Sequence, residues 1–174
     1  MSVEGSSRVA IVTGAARGLG KAIAEALAAQ GMKLMLVDIL ADRLEQTRQE
    51  LLDRGAECAI FPTDIARRDN CVAAVEAAVS AWGRLDVLVN AAGLVVYTRG
   101  IGAVSVEAWD RVLEVNLRGT FLVCQAFIEG MKARRDGRII NFASLAARVG
   151  GLEAGIHYAA SKAAGELFGT AYGE

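Results

Sequence analysis

Residues 9–20 have the sequence VAIVTGAARGLG, in which a short apolar run meets a glycine-rich turn. The run from Val9 to Val12 contains no polar residue, as expected of a strand that is buried on both faces of a sheet. The residues after the turn, 18–30, are rich in alanine and end near Gly31, which predicts a helix. The stretch therefore predicts a strand, a turn and a helix in immediate succession.

The same alternation of short apolar runs and longer amphipathic segments continues along the chain. Further strands are predicted at 34–37, 58–61, 85–89 and 138–142, and further helices at 41–54, 69–82, 106–131 and from Ile156 onward. Apolar strands that alternate with helices are typical of a parallel sheet covered on both faces. The pattern predicts an α/β fold with a doubly wound parallel sheet, the Rossmann fold, in a single domain spanning residues 1–174.

Composition excludes several classes of function. The chain is 53% apolar, its formal net charge is −1, and it has no basic arm, so nothing favours binding to nucleic acid or to an anionic membrane. No apolar stretch has the length of a membrane span. The three cysteines are isolated, which suits neither a metal site nor a disulfide framework. We expect free, mostly buried thiols, no bound metal and a cytoplasmic protein.

Three glycines in the first turn, Gly14, Gly18 and Gly20, have the spacing G-x-x-x-G-x-G. Such a turn lets the backbone approach a pyrophosphate at the N-terminus of the next helix, although it can also serve only close packing of strand and helix. A phosphate-binding P-loop is excluded because Ala22 stands where that loop needs a serine or threonine. The turn predicts a dinucleotide site.

The choice between NAD and NADP depends on two residues. Asp38 ends the second strand, where a carboxylate accepts hydrogen bonds from the adenosine ribose and repels a 2′-phosphate. Its alternative role is to cap the next helix, although Ile39 and Leu40 follow it directly. Arg17 has the opposite effect, since a guanidinium beside the glycines can pair with a 2′-phosphate. We give more weight to the carboxylate, so NAD is the expected cofactor and NADP the less favoured one.

Two further strand ends supply candidate cofactor contacts. Asp64 and its neighbour Ile65 follow the third strand, where Asp64 either hydrogen-bonds the adenine or caps the next helix. Asn90, Ala91 and Gly93 follow the fourth strand, and their small neighbours let the backbone pass beneath a cofactor. Asn90 alternatively ties neighbouring strand ends together.

Tyr158 and Lys162 lie four residues apart on the last predicted helix and therefore share one face. A free tyrosine has a pKa of about 10, and a neighbouring ammonium favours the phenolate, which suits general acid–base catalysis. Ser144 precedes Tyr158 by fourteen residues, directly after the fifth strand. Each feature alone is weak.

Taken together and in order, the motifs T-G-x-x-x-G-x-G, N-A-A-G, a mid-chain asparagine, a serine after strand five and Y-x-x-x-K closely resemble the short-chain dehydrogenase/reductase family. The resemblance implies that Tyr158 exchanges a proton with a substrate alcohol or ketone. It implies that Lys162 holds the nicotinamide ribose, that Ser144 binds the substrate oxygen, and that Asn116 holds a water linking the lysine to solvent. It also implies pyrophosphate contacts from the glycine turn, including Leu19, and a homodimer or homotetramer.

The chain departs from the family pattern at its end. Family members continue through two more strands and a Pro-Gly segment, whereas here the only proline is Pro62 and the sequence ends at Glu174. We therefore expect a chain truncated at its C-terminus, with those strands missing. The alternative to an NAD-dependent oxidoreductase is a dinucleotide-binding protein, or an inactive fragment, without turnover.

Two further features of the sequence are expected near the site but are given no catalytic role. His157, the only histidine, adjoins Tyr158, but adjacent helical residues point about 100° apart. We expect it at the pocket wall or the surface rather than in proton transfer. The apolar residues Leu94 to Tyr97 are expected at the pocket mouth, which would favour apolar parts of a substrate.

Overall fold

The computed structural model describes residues 7–171, except the side chains of 167 and 169–171. Its strands and helices follow the predicted alternation. The strands are β1 (Val9–Thr13), β2 (Lys33–Asp38), β3 (Cys58–Pro62), β4 (Val87–Asn90) and β5 (Arg138–Asn141). The helices are α1 (Gly18–Ala29), α2 (Ala41–Asp53), α3 (Arg68–Trp82), α4 (Val106–Leu113), α5 (Thr120–Arg134), α6 (Ala146–Val149) and α7 (Ile156–Ala171).

The five strands form one sheet in the order β3-β2-β1-β4-β5, and every pairing is parallel. This confirms the predicted Rossmann fold. The chain runs outward from β1 to one edge and then crosses to β4 on the other side, so the strand order reverses beside β1. Ligands of open α/β sheets bind at such a point, beyond the carboxyl ends of the strands. Thr13, Asn90 and Asn141 pair in register at this end.

The core lies on both faces of the sheet, which explains why the strands lack alternation. Val9 and Ile11 pack into one apolar cluster with α3 and α5, whereas Ala10 and Val12 pack into a second cluster with α1 and α2. All four are at most 1% exposed. Full burial of a valine or isoleucine side chain contributes about 1.5–3 kcal/mol, so an apolar residue is favoured at each of the positions 9 to 12.

The predicted helix at 106–131 is wrong in one respect. The segment is helical throughout, but a π-helix over Glu114–Gly119 separates α4 from α5. Single turns of π-helix often occur at functional sites, and Asn116 lies in this one. Two short elements were not predicted, a 3-10 turn at Ile101–Ala103 and the helix α6.

Residues 7–171 contain neither a membrane-spanning helix nor a cluster of metal-binding side chains. No helix there combines the length and the apolar character that crossing a membrane requires. No group of histidine, cysteine and acidic side chains in the same range could hold a metal ion.

Candidate functional site

A cleft of about 460 Å³ opens at the carboxyl ends of β1, β2, β3 and β4. Its volume lies in the range of small-molecule and cofactor sites. Ten of the predicted cofactor residues line it: Gly14, Arg17, Gly18, Leu19, Gly20, Asp38, Asp64, Ile65, Ala91 and Gly93. Residues up to 79 positions apart in the chain, Gly14 and Gly93, thus meet because parallel strands place their carboxyl ends at one edge of the sheet.

The glycine turn has almost no room for side chains. Gly14 has φ +69°, and a Cβ there would lie 2.7 Å from the backbone nitrogen of Ala92. A Cβ on Gly20 would overlap the carbonyl oxygen of Gly14 and lie 2.7 Å from its carbonyl carbon. The first turn of α1 is not capped by a side chain. Its backbone N–H groups therefore remain available to an anion in the cleft.

Asp38 is half-buried and fixes the glycine turn. One carboxylate oxygen accepts a hydrogen bond from the Ala16 backbone N–H at 3.0 Å, and the other accepts from Leu40 N–H at 3.0 Å. Leu40 itself occupies the cap position of α2, so the alternative role of Asp38 as a helix cap is wrong. A carboxylate has about four acceptor positions, which leaves Asp38 able to accept further bonds from a ligand. Arg17 lies exposed on the same cleft wall.

Asp64 closes a local turn at the far side of the cleft. Its carboxylate accepts from Ala66 N–H at 3.0 Å, and its carbonyl accepts from the Asn70 side chain at 3.0 Å. The cap position of α3 is held by Arg67, so the helix-cap alternative for Asp64 is also wrong. Ile65 is largely buried, and the part of it that remains accessible lines the cleft.

Asn90 is the predicted cofactor residue from the β4 end that does not line the cleft. Its side-chain amide donates to Asn141 at 2.9 Å and to the Cys124 sulfur at 3.2 Å. This contact joins the ends of β4 and β5, which was the alternative role expected from the sequence. Thr13 makes a similar link, since its hydroxyl accepts from Ala92 N–H at 3.2 Å. These contacts hold the backbone of the N-A-A-G segment against the glycine turn.

Asn116 connects the segment after β4 to the last helix. Its side chain accepts from Leu94 N–H at 2.7 Å and donates to Leu94 carbonyl at 2.9 Å and to Ser161 hydroxyl at 3.1 Å. The Ser161 hydroxyl donates in turn to the carbonyl of Tyr158 at 2.8 Å. Both amide hydrogens of Asn116 are therefore used within the protein, and the network fixes α7 relative to Leu94.

Lys162 lies beside Tyr158, as the spacing predicts. Its ammonium is 5.9 Å from the centre of the tyrosine ring and donates to the Phe142 carbonyl at 2.8 Å. It also lies 3.9 Å from the Cβ position of Gly93, at the end of the cleft. Burial lowers the pKa of the Lys162 ammonium below its usual value. No carboxylate among residues 7–171 forms an ion pair with it.

Ser144 is half-buried just before α6, and its hydroxyl accepts from Ala146 N–H at 3.2 Å. Since α6 packs against α7, Ser144 and Tyr158 lie on neighbouring elements. The structure thus brings Asn116, Tyr158 and Lys162 into one connected group and places Ser144 on the adjoining segment.

Several site residues were not predicted. Arg111 and Val115 line the cleft from α4 and the π-helix, and Ser161 links Asn116 to Tyr158. No motif marks the first two, whereas the serine within Y-x-x-S-K was a visible signal. His157 was expected at the pocket wall or at the surface. It is fully buried, so the expectation of a surface position is wrong.

The parallel sheet and the cleft at its switch point define a dinucleotide-binding α/β protein of the Rossmann type. A family model described as short chain dehydrogenase matches residues 8–173. The chain belongs to the short-chain dehydrogenase/reductase family of oxidoreductases, which use nicotinamide dinucleotides.

Alcohol dehydrogenases are among its relatives. The chain is 42% identical over 156 residues to D-threitol dehydrogenase from Mycolicibacterium smegmatis, with 89% of this chain and 59% of that protein covered. It is 33% identical over 150 residues to cyclohexanol dehydrogenase from an Acinetobacter species, covering 86% of this chain and 60% of that protein. The chain thus spans about three-fifths of the length of these relatives.

A solved structure resembles nearly all of this chain. The crystal structure of a metagenomic short-chain oxidoreductase in complex with NADP has a TM-score of 0.87 and 34% identity to this chain. The similarity covers 95% of this chain and 74% of that one.

Proposed function

We propose that this protein transfers a hydride between a nicotinamide dinucleotide, preferably NAD(H), and a secondary alcohol or ketone, with Tyr158 as the acid–base group. The observation that carries the proposal is the position of the Lys162 ammonium, beside the Tyr158 ring and at the Gly93 end of the cleft. An acid–base group thus adjoins the place where a bound dinucleotide would end.

The cleft fits the cofactor by its shape and its donors. Gly14 and Gly20 leave a cradle that a Cβ would fill, and the first turn of α1 offers free backbone N–H groups for the pyrophosphate. Asp38 would accept from the adenosine ribose, and Lys162 would donate to the nicotinamide ribose. When bound, the dinucleotide supplies the hydride donor or acceptor.

The chain's own residues would handle the proton and the oxygen. The Tyr158 hydroxyl donates a proton to the ketone oxygen during reduction and accepts one from the alcohol during oxidation. The positive charge of Lys162 favours the phenolate form of the tyrosine. Ser144 donates a hydrogen bond to the substrate oxygen, which steadies negative charge developing there. Asn116 holds α7 in place and keeps an acceptor position on its side-chain oxygen for a water.

The preference for NAD(H) rests on the charge at Asp38. Both carboxylate oxygens are fixed by backbone N–H groups, so the carboxylate cannot swing away from a 2′-phosphate without losing two hydrogen bonds. Arg17 is exposed and free to remain in solvent. The repulsion should outweigh the contribution of an exposed arginine, because surface ion pairs contribute only about 0–1 kcal/mol.

The names of the relatives suggest the class of substrate, and a groove on the surface suggests the assembly. Small polyols and cyclic alcohols are the first candidates, given the names of the relatives. A homodimer or homotetramer is proposed because a groove between the π-helix and α7 is apolar at Leu117 and Phe121 and carries charges of both signs at Glu114 and Arg118. Such a surface can pair with a copy of itself. A cytoplasmic location is proposed from the free cysteines.

The experiment is a substrate panel read by NADH or NADPH absorbance. The purified protein is assayed with D-threitol, sorbitol, cyclohexanol and the corresponding ketones, each with both cofactors. We expect turnover of at least one secondary alcohol, with a higher kcat/KM for NAD⁺ than for NADP⁺. NADH binding without turnover of any substrate would instead support the binding-protein alternative, and no dinucleotide binding would refute both.

A further inference from the structure

The only histidine of the chain lies in a place that the proposed reaction does not use. His157 is fully buried at the start of α7, and neither ring nitrogen has a hydrogen-bond partner among residues 7–171. Thr98 Oγ1 is also buried without a partner. Of the four such buried side-chain atoms in this range, three therefore belong to these two residues, the fourth being Asn90 Oδ1.

Two of these atoms, Thr98 Oγ1 and His157 Nδ1, lie close to one another. Gly155 has φ +84°, and the Cβ position that it lacks is in contact with Thr98 Oγ1 and lies 2.5 Å from His157 Nδ1. The hydroxyl and the ring nitrogen thus flank one point, and glycine at 155 leaves the space between them open. Because each atom lies within about 2.5 Å of that point, the two atoms are at most about 5 Å apart, with no side chain at residue 155 between them.

Pairing removes most of the cost of burying these groups. A buried polar group without a partner costs about 1–3 kcal/mol. Neutral imidazole has one N–H donor and one acceptor nitrogen, and a threonine hydroxyl serves as either donor or acceptor. If Nδ1–H donates to Thr98 Oγ1, the only group left unpaired on the ring is the acceptor Nε2. The reverse bond would leave a buried N–H donor unpaired, which is rarer in proteins.

We propose that His157 and Thr98 form a clasp, an Nδ1–H to Oγ1 hydrogen bond, that positions the segment 94–98 beside Tyr158. The other end of that segment is already tied to α7, because Asn116 holds both backbone groups of Leu94 and bonds Ser161. The clasp ties the second end to the residue next to Tyr158.

The consequence is a fixed wall for the substrate. The segment 94–98 begins in the cleft at Leu94 and carries an exposed apolar side chain at Tyr97. Held at both ends by α7, it keeps a constant distance from the Tyr158 hydroxyl. His157 and Thr98 are thus positioning residues of the proposed reaction, on which this inference rests, and they act on substrate binding rather than on cofactor binding.

The first test needs no turnover. Because the chain has one histidine, a ¹⁵N-histidine-labelled sample gives one imidazole in a long-range ¹H–¹⁵N spectrum. We expect the Nδ1-protonated tautomer, and a shift of the Nδ1 resonance in Thr98→Val, which removes the hydroxyl and keeps the shape. Arg99→Gln, a change at the exposed residue directly after Thr98, is the matched control and should leave the imidazole signals unchanged. An Nε2-protonated ring, or an unchanged spectrum in Thr98→Val, would overturn the clasp.

The second test concerns positioning and is read on the holoenzyme. Losing one buried hydrogen bond should raise KM for the alcohol about 2- to 10-fold in Thr98→Val and in His157→Phe, with the NADH Kd unchanged. The double variant should match the single ones, since both remove the same bond. A shifted imidazole with unchanged KM, or additive effects, would overturn the positioning role. If no alcohol is turned over at all, the proposed function fails while the imidazole spectrum still decides the clasp.

Discussion

Replacing Gly20 with alanine tests how closely the glycine turn fits the cofactor. Alanine favours a helix over glycine by about 1 kcal/mol, so propensity alone would make the change stabilising. The new Cβ, however, overlaps the Gly14 carbonyl oxygen and lies 3.2 Å from the Ala15 nitrogen. These are backbone atoms that cannot rotate aside, so the cost falls in the upper part of the range of about 1–3 kcal/mol for overpacking, at about 2–3 kcal/mol. The clash therefore exceeds the gain, and the turn must move.

The assay is a fluorescence titration of NADH into wild type and Gly20→Ala. If a net cost of about 1–2 kcal/mol falls on the turn that receives the pyrophosphate, Kd should rise about 5- to 30-fold. Gly165→Ala is the matched control, because it makes the same change in α7 with nothing within 4 Å of the new Cβ. That variant should bind NADH normally and melt about 2–4 °C higher. An NADH Kd within about twofold of wild type in Gly20→Ala would refute the reasoning.

Three further predictions concern charge and burial. Asp38→Asn, which keeps one acceptor oxygen and removes the charge, should shift the NADPH-to-NADH affinity ratio about tenfold toward NADPH; an unchanged ratio would contradict the role of the carboxylate. Burial lowers the pKa of Lys162 below its usual value of 10.5. At pH values between the lowered pKa and 10.5, this residue therefore binds more protons in the unfolded chain than in the folded protein. Its contribution makes the free energy of unfolding rise with pH in that range. Lys162→Met should remove that contribution in denaturant titrations across the alkaline range, and an identical slope in both proteins would count against a buried ammonium. Burial raises the pKa of the Cys71 thiol to about 11. At pH 8 this cysteine should therefore react with a thiol reagent only after the protein is denatured. Rapid labelling of Cys71 in the native protein would contradict this prediction.

The sheet was predictable because its signal is local. Each strand is a short apolar run bounded by a turn, and burial on both faces demands apolar residues at successive positions of β1. The glycine turn was predictable for a similar reason, since its fit depends on three glycines within seven residues. Asp38 was placed correctly at the end of β2 by its distance from the same turn.

The rest depends on contacts between distant parts of the chain. The spacing of apolar residues does not predict the π-helix, yet this turn places Asn116 where its side chain bonds Leu94. Arg111 lines the cleft because α4, on which it lies, is held against the π-helix and α7. The burial of His157 depends on the segment that contains Thr98, whose path no local pattern indicates. Side chains that join two elements become visible only when both elements are in place.

The most direct test of the proposed mechanism is Tyr158→Phe, which removes one hydroxyl from the acid–base position and keeps the ring beside Lys162. The measurement is kcat for the best alcohol in the panel, together with the NADH Kd of the same preparation. The account predicts that kcat falls by about 10²–10⁴-fold, the range for a lost general acid–base group, while Kd stays within about twofold. A Tyr158→Phe variant that turns over the alcohol at nearly the wild-type rate would contradict it.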